Sequence, residues 1–487
     1  MPYGAWQKSK VCLDKHGANL EINDLYKLAK KRVPKMFFEY ADTGSWTSST
    51  YKSNEEDFKH IKFRQRVAKD MSNRTLNVDI IGQKIDLPIA LSPIGICGFQ
   101  YANGEILAAK AAEKKGVPFT LSTMSVCSIE DVAENTSKPF WFQLYMMKDK
   151  SFMDRLIKRA NAAKCSALIV TLDLQVMGQR HNDIRNNLAA PPKININTIS
   201  QFVSKPRWCL NMLKSKRFNF GNIMGYVTDV TNLSSLASWT ADQFDPSLTW
   251  SDIKWIKERW HGKLILKGIM DKEDAKLAVD AGADAIIVSN HGGRQLDGAP
   301  STISVLSDIV DEVGHKTEVH FDGGIRSGQD VLKVLSLGAK CAHIGRPYIY
   351  GLGAKGQKGV EIALEIIKKE ELSNLNKKVS LILPKKKPSI YKNVKAVNDV
   401  LEVVDVKSKV RQARPVLKSS DAGKRVNEMI ARNLGIAEYK EYSSAKSKLV
   451  GKKKGKYKFF IPPSAEDFKG LIYPLLGKAV SYTHLTL

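Results

Sequence analysis

The stretch Lys-Leu-Ala-Val-Asp-Ala-Gly-Ala-Asp-Ala-Ile-Ile-Val (276–288) decides the fold, and it continues directly into Ser-Asn-His-Gly-Gly-Arg-Gln (289–295). The first run is typical of a helix end, a turn and a short buried strand. The second run follows the strand with an imidazole and a guanidinium three residues apart, flanked by glycines. A base beside an anion-binding group suits chemistry on a small carboxylic acid. Taken alone, however, His291 and Arg294 are more typical of a solvated polar loop, so the rest of the chain must decide.

Seven further apolar runs repeat this pattern, and each ends in small or polar residues. The eight predicted strands are 87–93, 118–123, 140–145, 167–173, 263–268, 285–290, 319–323 and 341–346. Segments with helical periodicity lie between them, among them 104–115, 149–163, 272–281 and 329–337. This α/β alternation predicts a parallel sheet covered by helices, and eight units predict a closed (β/α)8, or TIM, barrel. An open Rossmann-type sheet is disfavoured because no Gly-x-Gly-x-x-Gly follows the first strand.

Three parts are predicted along the chain. Residues 1–85 form an N-terminal helical segment that caps the barrel, and the stretch 20–42 predicts two short helices that separate at Pro34. The barrel itself occupies residues 86–370. Residues 371–487 form an unrelated basic extension that does not continue the alternation of strands and helices.

The connection after the fourth predicted strand carries a long insertion, at about residues 188–245. Insertions of this length in barrels usually serve as lids or interaction surfaces. Within it, the stretch 204–218 is basic and apolar together. This composition suits contact with a membrane surface, and it equally suits an amphipathic helix that packs on the barrel.

The net charge of +26 lies mostly in the extension. Residues 371–487 contain 25 Lys and Arg against 10 Asp and Glu, which leaves +11 for the first 370 residues. A basic barrel is compatible with an anionic substrate, an anionic membrane surface or nucleic acid. The extension lacks the ordered pattern of a nucleic-acid module, and nucleic acid is not expected to bind the barrel. The last residues, 481–487, resemble translated vector sequence, so the extension is excluded from the catalytic argument.

Cysteine usage and apolar runs indicate the compartment. The six cysteines, at 12, 97, 127, 165, 209 and 341, have no Cys-x-x-Cys or other metal-type spacing, and no metal site is predicted. Scattered cysteines in apolar stretches are typical of a reduced protein. The sequence begins without the apolar core of a secretory signal, and no run approaches the ~20 apolar residues of a membrane span. We therefore expect a cytoplasmic protein, and peripheral attachment to the cytoplasmic face of the inner membrane stays open.

Chemically useful residues follow nearly every predicted strand. In a TIM barrel the functional residues lie where the strands end, and different strands contribute them. The residues at these positions are Pro93, Ile94, Gly95, Ser122, Gln143, Tyr145, Thr171, Asp173, Lys267, Ser289, His291, Asp322, Gly323, Gly324, Arg326, Gly345 and Arg346. Lys267 is the hardest to explain as structural, because a buried ammonium is costly without an anionic partner. The loops after the seventh and eighth strands fall where barrels commonly bind phosphate, so they predict a phosphate-bearing cofactor.

Several of these positions belong to longer motifs that occur in a fixed order. The motifs are Phe-Gln-Leu-Tyr (142–145), Phe-Asp-Pro-Ser-Leu-Thr-Trp (244–250), Ser-Asn-His-Gly-Gly-Arg-Gln-Leu-Asp-Gly (289–298), Phe-Asp-Gly-Gly-Ile-Arg-Ser-Gly-Gln-Asp-Val (321–331) and Gly-Arg-Pro (345–347). With them, residues 12–370 resemble the FMN-dependent α-hydroxy-acid dehydrogenase/oxidase family, and within it the bacterial quinone-linked L-lactate dehydrogenases. The resemblance implies an FMN enzyme that oxidises a small L-2-hydroxy acid, most simply L-lactate to pyruvate. It also implies a homo-oligomer that passes electrons to a membrane quinone or another acceptor.

The resemblance further implies roles for individual residues. The catalytic residues would be His291, Asp173 and Lys267. The substrate would be bound by Tyr40, Tyr145, Arg180 and Arg294. The flavin would be contacted by Pro93, Ile94, Gly95, Ser122, Gln143, Thr171, Lys267 and Ser289. The other cofactor contacts, mainly to phosphate, would come from Asp322, Gly323, Gly324, Arg326, Gly345 and Arg346.

The chemistry of the catalytic and substrate-binding residues agrees with these roles. His291 would accept the substrate's proton, and Asp173 would stabilise the charged imidazolium that results. Lys267 would stand beside the N1/O2 edge of the flavin, where its charge favours the reduced ring. Two guanidiniums, from Arg180 and Arg294, would bind a carboxylate with a directionality that lysine cannot reproduce.

Two positions leave the electron acceptor and the exact substrate open. Gly95 stands where other family members carry alanine close to the flavin, so an oxygen-using glycolate or lactate oxidase stays an alternative. Met124 suits the methyl group of lactate, but it selects neither against glycolate nor against a slightly longer acid. A non-enzyme alternative is nucleic-acid binding through the basic extension, which only its density of Lys and Arg supports.

Overall fold

The computed structural model describes residues 19–64, 75–186, 188, 196–226, 239, 242–374 and 380–382. The chain divides into two compact units, Met1–Pro384 and Lys385–Leu487. The second unit lies outside the described residues, as does most of the basic extension expected from residue 371. The expected insertion is described mainly over 196–226. The division into three parts stays a prediction.

Eight parallel strands form the core of the first unit. They are β1 (Ile89–Leu91), β2 (Thr120–Ser122), β3 (Trp141–Tyr145), β4 (Ala167–Thr171), β5 (Lys263–Ile269), β6 (Ala285–Val288), β7 (Glu318–Asp322) and β8 (Cys341–Ile344). They pair in the order β1-β8-β7-β6-β5-β4-β3-β2. A parallel bridge between Leu91 of β1 and Phe119, just before β2, links the two outer strands of this order. The sheet closes on itself, and the predicted TIM barrel is confirmed.

Helices precede the barrel and alternate with its strands. They are α1 (Ile22–Arg32), α2 (Lys35–Asp42), α3 (Ser49–Glu56), α4 (Cys97–Gln100), α5 (Gly104–Lys114), α6 (Ile129–Ala133), α7 (Lys150–Ala162), α8 (His181–Arg185), α9 (Ile196–Val203), α10 (Pro206–Leu213), α11 (Trp250–Lys257), α12 (Lys272–Asp280), α13 (Thr302–Val313), α14 (Gly328–Ser336), α15 (Arg346–Lys355) and α16 (Gln357–Asn374). Pro34 separates α1 from α2 as predicted, because proline lacks the N–H that would continue α1 and its φ suits a helix start. Within the described part of the chain, no helix has both the length and the apolar character to cross a membrane.

Two pairs of short antiparallel strands lie outside the barrel sheet. Val78–Ile80 and Gln83–Ile85 form an antiparallel hairpin, and Lys62–Arg64 pairs with Ser380–Ile382. The hairpin isoleucines join one apolar cluster with residues that point into the barrel, including Trp141, Ile169, Ile265 and Ile287. Each fully buried side chain of this size contributes about 1.5–3 kcal/mol. The amino-terminal half of the barrel is therefore packed mainly with apolar side chains, and the polar rim lies at the other end.

The N-terminal segment folds over the carboxyl ends of the strands. Ser45 N donates to Gly293 O at 2.9 Å, and the carboxylate of Asp297 accepts from two backbone N–H groups around the start of α3. These bonds join segments that are about 250 residues apart in the chain. They hold Tyr40, near the end of α2, over the loop that follows β6.

Candidate active site

A histidine and an aspartate lie at the centre of the polar rim. His291 follows β6, Asp173 follows β4, and His291 Nδ1 lies 2.7 Å from Asp173 Oδ1. The backbone of His291 has φ +59°, a left-handed conformation that costs a residue with a side chain about 1–3 kcal/mol. The hydrogen bond and this loop conformation together fix the orientation of the imidazole.

The surroundings of this pair set its protonation states. Burial lowers the pKa of His291 below its ordinary value, against the raising effect of Asp173. Burial raises the pKa of Asp173, but the charges of His291 and Lys267 outweigh burial and leave that pKa below its ordinary value. With Asp173 ionised, His291 Nδ1 carries the shared proton and Nε2 is left to accept one. The pair has the form of a base whose charged state a carboxylate stabilises.

Lys267 fills the mouth of the barrel beside this pair. Its ammonium lies 3.0 Å from Asp322 Oδ2 and donates to Ser289 Oγ at 2.9 Å. Only 3% of the residue is exposed. Burial lowers the pKa of Lys267, but Asp322 and Asp173 raise it by more, so it lies above its ordinary value. The lysine is charged, and Asp322 is the anionic partner that its burial requires.

A row of polar side chains crosses three neighbouring strands. Ser122 Oγ donates to Gln143 Oε1 at 3.1 Å, and Gln143 Nε2 donates to Thr171 Oγ1 at 3.0 Å. All three side chains are buried at or near the carboxyl ends of β2, β3 and β4. Because neighbouring parallel strands end at one level, the three predicted cofactor contacts lie along one edge.

Arg180 and Arg294 converge on the ring of Tyr40. Their guanidinium carbons lie 5.6 and 4.6 Å from the ring centroid. Arg294 donates to the backbone oxygen of Tyr40, and Arg180 pairs with Asp183 at 3.1 Å. Burial, and then repulsion from Arg180, lower the pKa of Arg294 to about 10. Two guanidiniums held this close in a buried place favour the binding of an anion.

Tyr145, at the end of β3, lies nearly parallel to the imidazole of His291, with ring centroids 6.5 Å apart. Burial, followed by the neighbouring Tyr40 and Asp173, raises the pKa of Tyr145 against the opposing effect of both arginines. Its hydroxyl therefore stays protonated and can donate a hydrogen bond beside the base.

The loop after β1 approaches the same region. Pro93, Ile94 and Gly95 are partly exposed, so their backbone is accessible to a ligand. A Cβ at Gly95 would lie 3.2 Å from Tyr40 Oη and 3.2 Å from the backbone oxygen of Met124. Glycine thus lets the tyrosine and Met124 approach closely. A methyl group at this position would crowd both neighbours, and the oxygen-using alternative stays a prediction.

Glycines shape the loops after β7 and β8. Gly323 and Gly324 have φ of +124° and +77°, and a Cβ at Gly324 would lie 1.9 Å from the backbone oxygen of Asn54. Any other residue would be strained at these angles and would collide with α3 at Gly324. At Gly345, a Cβ would meet no atom nearer than 3.6 Å. Gly345 also begins α15 without a side chain to cap it, and N–H groups in such a first turn bind phosphate readily.

Arg346 joins the last of these loops to the N-terminal segment. Its guanidinium donates to the backbone oxygens of Ala41, Gly292 and Thr43 at 2.9, 3.1 and 3.1 Å. It also lies 4.4 Å from the ring centroid of Tyr51. The arginine is therefore held by protein groups at the place where the sequence predicts phosphate.

Arg326 is held in a similar way. It pairs with Glu55 at 2.6 Å and donates to its neighbour Ile325 O at 2.8 Å. Burial lowers the pKa of Arg326, but Tyr350, Glu55 and Tyr51 raise it well above its ordinary value. Arg326 and Arg346, the two arginines predicted to bind phosphate, thus both contact side chains of α3.

Helix α3 is part of this site, although the sequence did not predict it. Asn54 exchanges two amide hydrogen bonds with Asn290, at 2.8 and 2.9 Å, next to the predicted base. The spacing of Tyr51, Asn54 and Glu55 places them on one face of a helix, and this was the available signal. It is weak, because polar residues at this spacing are usual on a solvated helix.

The residues at the rim fit FMN in their chemistry. One side offers a buried ammonium at Lys267 and the aligned amide and hydroxyls of Gln143, Ser122 and Thr171. These groups suit the polar edge of a flat heterocycle. The other side offers the glycine loops, two arginines and the start of α15, which suit a phosphate monoester.

Comparisons with known proteins agree with this fit. Residues 29–377 match the sequence profile of the FMN-dependent dehydrogenase family. L-lactate dehydrogenases of Haemophilus influenzae (strain ATCC 51907 / DSM 11121 / KW20 / Rd) and Vibrio parahaemolyticus are each 44% identical to this chain, covering 72% and 70% of it and 91% and 90% of the relatives. The crystal structure of the monotopic membrane protein (S)-mandelate dehydrogenase aligns with a TM-score of 0.70 at 33% identity, covering 73% of this chain and 94% of that one. A mandelate oxidase structure aligns with a TM-score of 0.62 at 35% identity, over 73% and 93%.

The barrel, its charged rim and these matches define a flavin-dependent oxidoreductase of the TIM-barrel type. The chain belongs to the FMN-dependent dehydrogenase family. The family and the cofactor that the motifs implied are confirmed. The roles of individual residues stay predictions.

Proposed function

We propose that this protein oxidises a small L-2-hydroxy acid with FMN as its cofactor, and that the substrate is L-lactate, which becomes pyruvate. The observation that carries the proposal is the His291–Asp173 pair, which lies near the guanidiniums of Arg180 and Arg294. The 44% identity to L-lactate dehydrogenases, over 91% of the length of the Haemophilus influenzae enzyme, supports the choice of acid.

In this proposal Arg180 and Arg294 bind the substrate carboxylate. The lowered pKa of Arg294 reflects burial and like-charge repulsion, and an anion bound near both arginines relieves the repulsion. Tyr40 and Tyr145 add hydroxyl donors for the remaining substrate oxygens. The convergence of these groups on one end of the substrate fixes its orientation with respect to His291.

Proton transfer falls to His291. Its lowered pKa leaves Nε2 unprotonated at neutral pH, so this nitrogen can accept a proton from the substrate. The ionised Asp173, at 2.7 Å from Nδ1, then stabilises the imidazolium. Bound FMN supplies the acceptor for the two electrons that the substrate loses. Lys267 holds a positive charge in the barrel mouth, which favours negative charge that develops nearby.

Selection of a small acid rests on the space beside Met124. A Cβ at Gly95 would lie 3.2 Å from Tyr40 Oη and 3.3 Å from Met124 Cβ, so the space between these three residues is small. We therefore expect kcat/KM to be highest for L-lactate, lower for glycolate and much lower for L-mandelate. A preference for L-mandelate, or equal use of D-lactate, would contradict the proposed substrate. The assay is initial-rate kinetics with a soluble dye as electron acceptor.

The electron acceptor is proposed to be a membrane quinone. Helices α9 and α10 of the insertion carry strongly exposed apolar side chains, among them Val203 (74% exposed) and Leu213 (79% exposed). Exposed Arg207 and Lys214 lie on or next to the same helices. Apolar and basic side chains together suit the interface of an anionic membrane. The monotopic mandelate dehydrogenase is described as a membrane protein, which supports a peripheral membrane position; the cytoplasmic face is proposed from the sequence alone.

This surface is anchored close to the active site. The ring of Trp208, in α10, stacks on Phe37 of α2 at 5.6 Å and on Phe202 at 5.5 Å. Its indole N–H also donates to Phe99 O at 2.9 Å. A membrane at the insertion would therefore lie near the helix that carries Tyr40, which is a short route for electrons to a lipid-soluble acceptor.

Vesicle binding tests the acceptor proposal. Sedimentation with vesicles that contain anionic phosphatidylglycerol should capture the protein, and Leu213→Glu should weaken binding at least about tenfold, because an exposed leucine contributes about 1.5–3 kcal/mol when buried. The control is Leu277→Glu, which changes another exposed leucine on α12. Equal binding of both variants would contradict the proposed surface. Faster turnover with dissolved oxygen than with quinone in vesicles would instead favour the oxidase alternative. The homo-oligomer that the family resemblance implies stays an expectation.

A further inference from the structure

A second group of polar side chains lies inside the barrel, apart from the residues assigned to substrate and cofactor. It consists of His320 in β7 and Cys341 and His343 in β8, which we call the His-Cys-His cluster. His320 and Cys341 are direct neighbours in the strand register, and His343 lies two residues further along β8 on the same face. Their relative exposures are 0%, 0% and 1%. The cluster is therefore fully enclosed by the barrel wall and its apolar filling.

The hydrogen bonds of the cluster determine where its protons lie. Both carboxylate oxygens of Glu318 accept from Ile81 N at 3.0 Å, and Glu318 Oε2 lies 3.2 Å from His320 Nε2. A carboxylate can only accept, so His320 Nε2 donates and His320 Nδ1 keeps its lone pair. This nitrogen lies 3.1 Å from His343 Nε2, which must donate to it. His343 Nδ1 is then a buried acceptor with no hydrogen-bond partner in the part of the chain that is described.

We propose that His320, Cys341 and His343 bind one Zn²⁺ ion inside the barrel. One ligand atom from each residue lies within 4.8 Å of the others. The 3.1 Å between the two ring nitrogens is close to the ~3.3 Å that two imidazoles span on a tetrahedral zinc. Nitrogen and thiolate sulfur are the ligands that zinc prefers in proteins.

A metal ion would replace the hydrogen bond between the two histidines. In that hydrogen bond His343 Nε2 carries the proton, so of the two facing nitrogens only His320 Nδ1 offers a lone pair. A cation between the rings can accept a lone pair from both facing nitrogens once the proton of His343 has moved from Nε2 to Nδ1. His320 retains its Nε2–H bond to Glu318, the arrangement that commonly orients a metal-bound histidine.

Charge balance favours a divalent ion. Binding would convert the Cys341 thiol to a thiolate, and its proton would leave to solvent. The thiolate and the carboxylate of Glu318 then carry two negative charges, which Zn²⁺ neutralises. The buried site would be neutral as a whole, as a low-dielectric interior requires.

Zinc at this place would join β7 to β8. These strands end in the two glycine loops that fit the cofactor phosphate, at 323–326 and 345–346. The ion would therefore be structural, and it would set the relative position of the two loops. The proposal does not depend on the identity of the hydroxy acid.

Metal analysis of the intact flavoprotein tests the proposal. Protein from zinc-supplemented cells, purified without chelator, should contain about one zinc per chain by mass spectrometry. Cys341→Ser should lose that zinc, whereas Cys165→Ser, which changes a buried cysteine outside the cluster, should retain it. Glu318→Gln should weaken zinc binding 10- to 100-fold in competition with a chelator. Wild-type protein free of zinc, or zinc retained by Cys341→Ser, would overturn the proposal.

X-ray absorption at the zinc edge identifies the atoms bound to zinc in the wild-type protein, without any variant. The expected first shell contains one sulfur at about 2.3 Å and nitrogens at about 2.0–2.1 Å. A shell of oxygen and nitrogen alone would contradict the His-Cys-His ligand set.

Discussion

The proposed substrate side of the barrel rim carries Arg180 and Arg294, and the proposed phosphate side carries Arg326 and Arg346, but the charges of the two pairs are balanced differently. On the substrate side, burial and repulsion from Arg180 lower the pKa of Arg294 to about 10. On the phosphate side, the partners of Arg326 outweigh burial and raise its pKa well above its ordinary value. Arg346 likewise donates to three backbone oxygens.

The difference indicates which side of the rim is organised by protein contacts and which side needs its ligand to balance its charges. The phosphate side is held together by α3 and the loop after α2, so its loops are organised by the protein itself. The substrate side holds guanidiniums that repel one another and a base in a strained backbone conformation. We expect changes on the substrate side to remove turnover and leave FMN bound. We expect changes on the phosphate side to weaken FMN binding and leave the turnover of loaded enzyme intact.

The largest effect is expected for His291→Gln. Loss of the base should lower kcat by about 10²- to 10⁴-fold, the usual contribution of a positioned base. The visible absorbance of FMN should persist, because the glutamine keeps a similar volume. His181→Gln is a matched control, since His181 is partly exposed beside Trp46 and lies outside the Asp173 hydrogen bond. Retained turnover in His291→Gln would remove this residue from the role of base.

The next effect concerns Asp173→Asn and its pH dependence. In the proposed mechanism activity requires neutral His291, so we expect it to fall as the pH drops through the pKa of that residue. Asp173 raises this pKa, and its neutralisation should lower the pKa further and move the acid limb of the kcat/KM profile to lower pH. The limiting rate should fall by roughly 10²-fold, because the imidazolium loses its carboxylate. An acid limb that moves to higher pH would contradict the assigned interaction.

Arg294→Lys should have a smaller effect that is confined to the substrate side. Lysine keeps the charge but loses the fork that binds a carboxylate, so kcat/KM for L-lactate should fall about 30-fold, or ~2 kcal/mol. FMN content should match that of the wild type, as measured by the ratio of visible to ultraviolet absorbance. Loss of FMN from Arg294→Lys, with unchanged kcat/KM in the molecules that keep FMN, would contradict the assignment of Arg294 to the substrate side.

Arg326→Gln should have the smallest effect on turnover. Without its ion pair to Glu55 and its positive charge, the loop after β7 should bind FMN about tenfold more weakly, which corresponds to ~1.4 kcal/mol. Once excess FMN restores full occupancy, kcat should lie within about twofold of the wild-type value. A large fall in kcat at full occupancy would mean that the two sides are not independent. The measurement is FMN titration followed by steady-state assay.

The fold could be predicted because barrel strands are buried on both faces. That burial demands continuous apolar runs such as 285–288, and residues that follow such runs must meet at one end of the barrel. The pairing of Lys267 with an anion also followed from the cost of burying an ammonium.

The contacts of α3 could not be predicted, because they join residues far apart in the chain. Arg326 and Glu55 are 271 residues apart, and Arg346 binds backbone oxygens that no side-chain pattern reveals. The His-Cys-His cluster could not be predicted from the sequence for a similar reason. Its cysteine lies 21 residues from His320, a spacing with no metal-binding signature, and only the register of β7 and β8 brings the two together.

An anaerobic titration of the purified yellow protein with L-lactate tests the central claim most directly. The account predicts that the visible absorbance of oxidised FMN bleaches as L-lactate is added, with pyruvate formed in equal amount to the flavin reduced. His291→Gln should remain yellow under the same conditions. A wild-type protein that binds FMN but keeps its colour in excess L-lactate would contradict the account.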